Sequence, residues 1–307
     1  MSALLEFPDM QTTLQPPSGP SPWRQLVRHF FRNGPAVFGL VLVVLLSVVA
    51  IFAPQIAPLS PYQTYPDGTT AQGLPLAPTW NWGHFFLGTD PSGRDVLSQL
   101  IWGARVSMEV GFMATLIAVA IGLVVGLVAG YAGGQVDNVL MRITDIVLAF
   151  PFLLFVILLR SVVSNPSVAT VYTVIGVLGW APTARITRGQ VLAAKNQEYV
   201  EAARALGAGT WRILGRHLLP NVVGTVIVYG TLQVAQNILT ESALSFLGIG
   251  VPDPTISWGK MITLGLNFYQ TAPWLIIWPG LALALGSLGF NLLGDGLSDA
   301  LNPRAEE

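Results

Sequence analysis

Apolar and polar positions fall in long blocks along this 307-residue chain. Ala36 to Ala53 is an apolar run broken by a single Ser, long enough to cross a hydrocarbon core of ~30 Å. Five more apolar blocks follow, at about Val106–Tyr131, Val139–Val163, Ala169–Ile186, Val222–Ile249 and Ala272–Leu293. The pattern predicts an all-α, polytopic membrane protein with six transmembrane helices. Residues 1–35 form a terminal tail whose first part, rich in Pro and Ser, is expected to be disordered. Within it Arg24, Arg28 and Arg32 recur every four residues, on one helix face. The first span, 36–54, follows too long a polar lead, and is itself too long, for a cleaved signal peptide. Residues 55–104 lack a spanning run and are rich in Pro, Gly, Asp and aromatics. The remaining five spans lie within 105–300, with a short tail at 301–307.

One stretch between the fourth and fifth spans is built differently. Asn196 to Asn221 is polar-punctuated and carries helix start and stop signals. Asn196 is placed to cap a helix over Gln197–Leu206, with Glu198 in the first turn where the dipole favours an acid. Gly207 follows the last helix former, as a left-handed terminator does. Thr210 is placed to cap a second short helix, which is expected to stop before Pro220. The predicted unit is helix, glycine turn, helix, thin at Ala202, Ala203 and Ala205. A short, thin helix between membrane spans can enter a cleft on another protein.

Composition agrees with a bilayer as solvent: 52% of residues are hydrophobic and 10% charged, against about 25% charged in soluble domains. A net charge of −1 gives no reason to expect nucleic acid as a partner. With no cysteine and three scattered histidines, disulfides, thiolate chemistry and cysteine metal sites are excluded. No phosphate-binding glycine motif is present, so any ATP must be bound by another chain. Positive charge sorts by side. Arg24, Arg28, Arg32, Arg142, Arg185, Arg188, Lys195, Arg204, Arg212, Arg216 and Arg304 fall on the side of the termini, and Arg94, Arg105, Arg160 and Lys260 opposite. Eleven against four places both termini and the Asn196 stretch in the cytoplasm.

The spans carry further signals. Gly122, Gly126 and Gly130 smooth one face of the second span for close helix packing. The third span holds Asp145, Pro151 and Arg160, and the fourth is interrupted by Gly179 and Pro182. In the fifth, Gln233, Gln236, Asn237 and Thr240 share a helix face. That face either lines a translocation path or supplies interhelical hydrogen bonds; both roles fit such residues. Glu241 is assigned a helix-packing or gate role rather than that of a catalytic acid. Glu109, Asp145 and Arg160 lie near span ends, where snorkelling or ion pairing is expected. Asp295 and Asp299 are read as cytoplasmic capping residues.

Three stretches resemble one family. Glu201-Ala202-Ala203, then Gly207, then Leu219-Pro220, is similar to the EAA loop of bacterial ABC importer permeases. His217 stands where that family often has Ile. Leu87–Ser107 (LGTDPSGRDVLSQLIWGARVS) and the run from Glu241 (ESALSFLGIGVPDPTISWGKMI) resemble the C-type subunit of the dipeptide/oligopeptide (and nickel) permease family. The three occur in that family's order. The resemblance implies a type I ABC importer permease bundle in the bacterial or archaeal inner membrane, with its EAA coupling loop at 188–221. It implies ATPase contact through Glu201, Ala202, Ala203, Arg204, Gly207, Arg212 and Pro220; Gln233, Gln236, Asn237 and Thr240 are the candidates for a path lining. The implied partners are a second homologous permease subunit, two ABC ATPase subunits or domains that bind ATP and Mg, an extracytoplasmic solute-binding protein, and lipid. The chain itself would be non-catalytic and would bind no cofactor or metal. The contrasting class is an ATPase-independent channel or secondary transporter, but no internal repeat and no mid-membrane charge pair supports it. The solute stays open among dipeptides, oligopeptides, nickel chelates, glutathione and opines.

Overall fold

A computed structural model of the chain describes residues 22–82, 84–162 and 167–301. The first 21 residues, Arg304 and the rest of the C-terminal tail, and the Arg160 side chain lie outside this described set.

Among the described residues the regular elements are helices, and the segment 57–95 is turns and two isolated bridges, Thr69–Pro75 and Thr89–Asp95. The helices are α1 (Pro22–Arg32), α2 (Gly34–Ile51), α3 (Ala53–Ile56), α4 (Val96–Ala132), α5 (Gly134–Ala149), α6 (Phe152–Val162), α7 (Val168–Leu178), α8 (Trp180–Ala194), α9 (Glu198–Ala205), α10 (Thr210–Ile213), α11 (Leu219–Phe246), α12 (Trp258–Gly265) and α13 (Trp274–Leu301). A π turn, Leu214–Leu218, fuses α10 to α11, and a 3-10 turn, Leu266–Phe268, follows α12. Four of these units, α2, α4, the α10–α11 rod and α13, are long and apolar enough to cross a membrane. The pair α5 and α6 is apolar enough together but bends by 86°. The shorter apolar α7 is followed directly by α8, so six crossings are compatible with the set.

Sequence explains where the helices break. Pro151 lacks an N–H and holds Phe150 extended (φ −78°, ψ 132°), so the third block is two helices rather than one straight span. The fourth block breaks at Gly179 alone; Pro182 sits third in α8, where its missing N–H would have no helical acceptor anyway. The second block starts ten residues earlier than its apolar run. The Asp95 side chain accepts from Ser98 N at 2.8 Å and caps α4 at Val96, so the polar stretch and the span are one helix of 37 residues.

Helix α4 is the centre of the bundle. It packs most extensively on α8, then on α11, α7 and α2. Its glycine face is the reason α8 comes so close. A Cβ on Gly126 would stand 2.6 Å from the Ala184 carbonyl and against Thr187 Cβ, and one on Gly130 would stand 2.7 Å from Val191 Cβ. Fully buried Ala114, Ala118 and Ala129 continue the thin surface. The main core gathers Met108 of α4, Ile238 of α11, Trp258 of α12, and Leu275 and Phe290 of α13.

Two capping expectations fail at the C-terminal end of α13. Asp295 and Asp299 lie inside that helix, and Asp299 accepts from Asn33 Nδ2 at 3.0 Å. Asn33 is itself the cap of α2, its Oδ1 accepting from Ala36 N at 3.2 Å. The acid therefore pins the start of one helix to the end of another.

Candidate functional site

The stretch from Lys195 to Pro220 stands out from the core formed by one end of α4, α8 and α11. Its inner surface is apolar: Val200, Ile213, Leu214 and Leu218 pack with Val191 of α8 and with Leu123, Leu127 and Tyr131 of α4. Its outer surface carries the residues expected to meet an ATPase. Glu201, Ala202, Arg204, Gly207, Arg212 and Pro220 are exposed, and Ala203 is turned inward. Leu206 is 90% and Trp211 84% exposed, unusual for side chains of that size. Neither was singled out from sequence. A lone Trp two residues after a Gly-Ala-Gly turn gives no periodic signal.

The turn between the two helices is a Schellman motif. Gly207 has φ +80°, its N–H donates to Arg204 O at 3.0 Å, and Ala208 N donates to Ala203 O at 3.0 Å. The start signals differ from expectation by one residue each. Gln197, not Asn196, caps α9, accepting through its backbone carbonyl from Val200 N and Glu201 N while its amide turns back towards Ala193 O. Gly209, not Thr210, precedes α10, its carbonyl accepting from Arg212 N and Ile213 N. The second helix also does not stop before Pro220. The five-residue π turn widens the spiral where the proline ring would meet the preceding turn, and α11 continues through it.

Ionic contacts hold this platform. Arg188 in α8 grips Asp137 in α5 through two parallel bonds of 2.5 and 2.6 Å, and Arg185 reaches Asp145 at 2.6 Å. Lys195 Nζ donates to Gly130 O at 2.9 Å, at the end of α4.

The polar face of α11 is divided. Gln233 is buried and donates from Nε2 to Gly179 O at 2.9 Å, while its Oε1 accepts from Thr183 Oγ1 at 3.3 Å. Asn237 is buried and donates to Thr115 Oγ1 at 2.9 Å. Gln236 is exposed, and Thr240, half-buried, donates back to Gln236 O at 2.8 Å. So half of the face ties α11 to α4, α7 and α8, and half stays open.

Glu241 has no exposure and sits in a cage of hydroxyls. Ser245 and Ser257 donate to its Oε1 at 2.6 and 2.7 Å, and Ser107 to Oε2 at 3.4 Å. The arrangement joins α4, α11 and the cap of α12. Among the described residues no cluster of His, Asp and Glu is arranged to hold a metal ion.

Comparison with known proteins gives a consistent picture. Residues 122–307 match the family described as binding-protein-dependent transport system inner membrane component, and residues 21–78 match the N-terminal TM domain of oligopeptide transport permease C. The chain is 43% identical to the oligopeptide transport system permease protein OppC of Escherichia coli (strain K12), over 93% of this chain and 92% of that one. It is 43% identical to the dipeptide transport system permease protein DppC of Bacillus subtilis (strain 168), over 92% of this chain and 84% of that one. Its fold is similar to that of a chain of the MetNI methionine ABC transporter in inward-facing form. That match has a TM-score of 0.53 and 18% identity, and covers 65% of this chain and 94% of that one.

Proposed function

The chain belongs to the family of binding-protein-dependent transport system inner membrane components, and from that premise we propose that it is the C-type permease subunit of an ATP-driven importer of dipeptides or oligopeptides. It is a multi-pass inner-membrane protein and a non-catalytic subunit. The observation that carries the proposal is the projection formed by α9, the Gly207 turn and α10. Its inner face is clamped to α4 and α8, and its outer face offers Glu201, Arg204, Leu206, Trp211 and Arg212 to a partner.

In this reading the projection seats in a groove of a cytoplasmic ATPase, and ATP and Mg are bound there. A second permease subunit completes the translocation path, with the open part of the α11 face, Gln236 and Thr240, contributing to its wall. Gln233 and Asn237 hold that wall in place through their bonds to neighbouring helices. An extracytoplasmic solute-binding protein delivers the peptide to the opposite face. Both termini lie in the cytoplasm, as the positive charges indicate. The boundaries follow the sequence reading: a cytoplasmic tail to residue 35, a first span at 36–54, an extracytoplasmic segment at 55–104 and a permease core at 105–300.

The test uses the complete complex in proteoliposomes. A β-branched side chain at Gly207 meets a left-handed backbone, at about 1–2 kcal/mol, in otherwise open space. Gly207→Val and Glu201→Lys should each lower capture of the ATPase subunits, or leave ATP hydrolysis uncoupled from peptide uptake. Trp211→Ala should weaken the same contact by about 2 kcal/mol, the scale of an interface hot spot. Normal ATPase capture and normal coupled uptake in all three would reject the coupling assignment.

A further inference from the structure

Two of the sequence stretches that resemble the peptide-permease subunits meet in space, at the end of the bundle away from the α9–α10 projection. Arg94, at the end of the Asp90–Arg94 turn, and the elbow Asp253–Lys260 together line a cavity of about 70 Å³, with Gln99 between them. That is several times the ~10–15 Å³ that one water requires.

The donors around this cavity exceed the acceptors. Asp90 is saturated: Oδ1 accepts from Ser92 N and Arg94 N, and Oδ2 accepts from Arg94 Nε and Gln99 Nε2, each at 2.7 Å. Arg94 is bound through Nε alone, and its terminal N–H groups have no acceptor among the described residues. Lys260 Nζ carries three N–H bonds. It donates to Asp253 Oδ1 at 2.6 Å and to Thr255 O at 3.0 Å, and its third has no acceptor among the described residues.

The Lys260–Asp253 pair is lopsided. The lysine side chain is 18% exposed and the aspartate 94%. The bond from Lys260 holds the Asp253 carboxyl below the usual carboxylate range, with the Lys260 and Arg94 charges adding to the effect. A carboxylate that exposed loses little by returning to water, because solvent screens most of the attraction. The cation, largely covered by the elbow, would then need another anion. Asp253 thus occupies its position as a replaceable carboxylate tethered at the cavity mouth.

We propose that this cavity is a receiving site for the carboxylate terminus of a peptide, which displaces Asp253 from Lys260 and also accepts from the Arg94 terminal N–H groups. The inference rests on the peptide-importer reading given above. The remaining wall is apolar: Pro254, Ile256, Met261 and Leu264. Such a wall accepts varied neighbouring side chains without selecting among them, while the charged end fixes orientation. The ligand class is a short peptide with a free C-terminus.

The full permease–ATPase complex in nanodiscs tests this with radiolabelled trialanine and trialanine amide as probes. Trialanine should bind and the amide should not. Asp253→Asn removes the competing carboxylate and should tighten trialanine binding about two- to fivefold. Lys260→Met should abolish it, and Lys260→Arg should retain it. If Lys260→Met fails to assemble, the Asp253→Asn arm still decides. Equal binding of the amide, or unchanged affinity in Asp253→Asn, overturns the site. Retention by Lys260 of an acidic solute-binding protein instead of trialanine also overturns it. Uptake in proteoliposomes separates the two levels. Peptide uptake with no preference for a free carboxylate rejects this site and leaves the importer reading standing. No uptake of any peptide, with ATP hydrolysis intact, rejects both.

Discussion

The Ser257 hydroxyl donates to Glu241 at 2.7 Å, so the residue that caps α12 hangs from a fully buried acid in α11. Replacing Glu241 with Ala would leave the Ser107, Ser245 and Ser257 hydroxyls without their acceptor and open a cavity. The expected cost is about 3 kcal/mol or more, read as a lower melting temperature in detergent. Glu241→Gln keeps one acceptor oxygen and most of the volume, and should lose clearly less. An Ala variant that melts with the wild type would show that the cage does not hold the elbow.

The glycine face of α4 gives a paired test, one site inside the α4–α8 interface and one outside it. A Cβ at Gly126 would be forced against Ala184 O and Thr187, whereas one at Gly189, in the middle of α8, meets nothing within 4 Å. Gly126→Ala should destabilise by roughly 1–3 kcal/mol through overpacking. Gly189→Ala should be neutral or stabilise by up to about 1 kcal/mol through helix propensity. Thermal melts of the two side by side decide the matter; an equal effect would mean that α8 can slide on α4.

The division of the α11 polar face separates two mutations that look alike. Asn237→Leu breaks the bond to Thr115 and should lower stability by about 1 kcal/mol. Gln236 is exposed and its side chain joins no such bond among the described residues, so Gln236→Leu should leave the melt unchanged and slow peptide uptake. A Gln236→Leu complex with normal uptake kinetics would remove that residue from the path.

Orientation is open to direct measurement because the chain has no native cysteine. A single cysteine at Gly68 should react with an impermeant maleimide added outside intact cells. One at Lys195 should react only after permeabilisation. The reverse pattern would invert the topology drawn from the positive charges.

Some of these features were legible in the sequence and some were not, for physical reasons. Gly207 was, because a glycine after a run of helix formers has few other uses and its left-handed role is local. The Gly122–Gly126–Gly130 face was, because its period belongs to one helix. The Asp137–Arg188 grip was not: its partners lie on different helices, and only the packing of α8 on α4 and α5 brings them together. The bend at Phe150–Pro151 was missed because both arms are apolar, and hydropathy does not register direction. The polar face of α11 was visible, but which part is covered depends on where α7 and α8 lie. Pro220 misled because a proline usually ends a helix, and the π turn that lets one pass has no simple residue signature.

That π turn has a mechanical consequence. From Thr210 to Phe246 the helix is unbroken for 37 residues, about 55 Å at ~1.5 Å per residue. One end carries exposed Trp211, and the other leads, just past Glu241, into the elbow that holds Asp253 and Lys260. A stiff rod converts a small tilt at one tip into an opposite displacement at the other, with no chain of side-chain rearrangements between them. The widened turn at Leu214–Leu218 lets Pro220 stay inside that rod instead of ending it, and so sets how far the rod reaches towards Trp211.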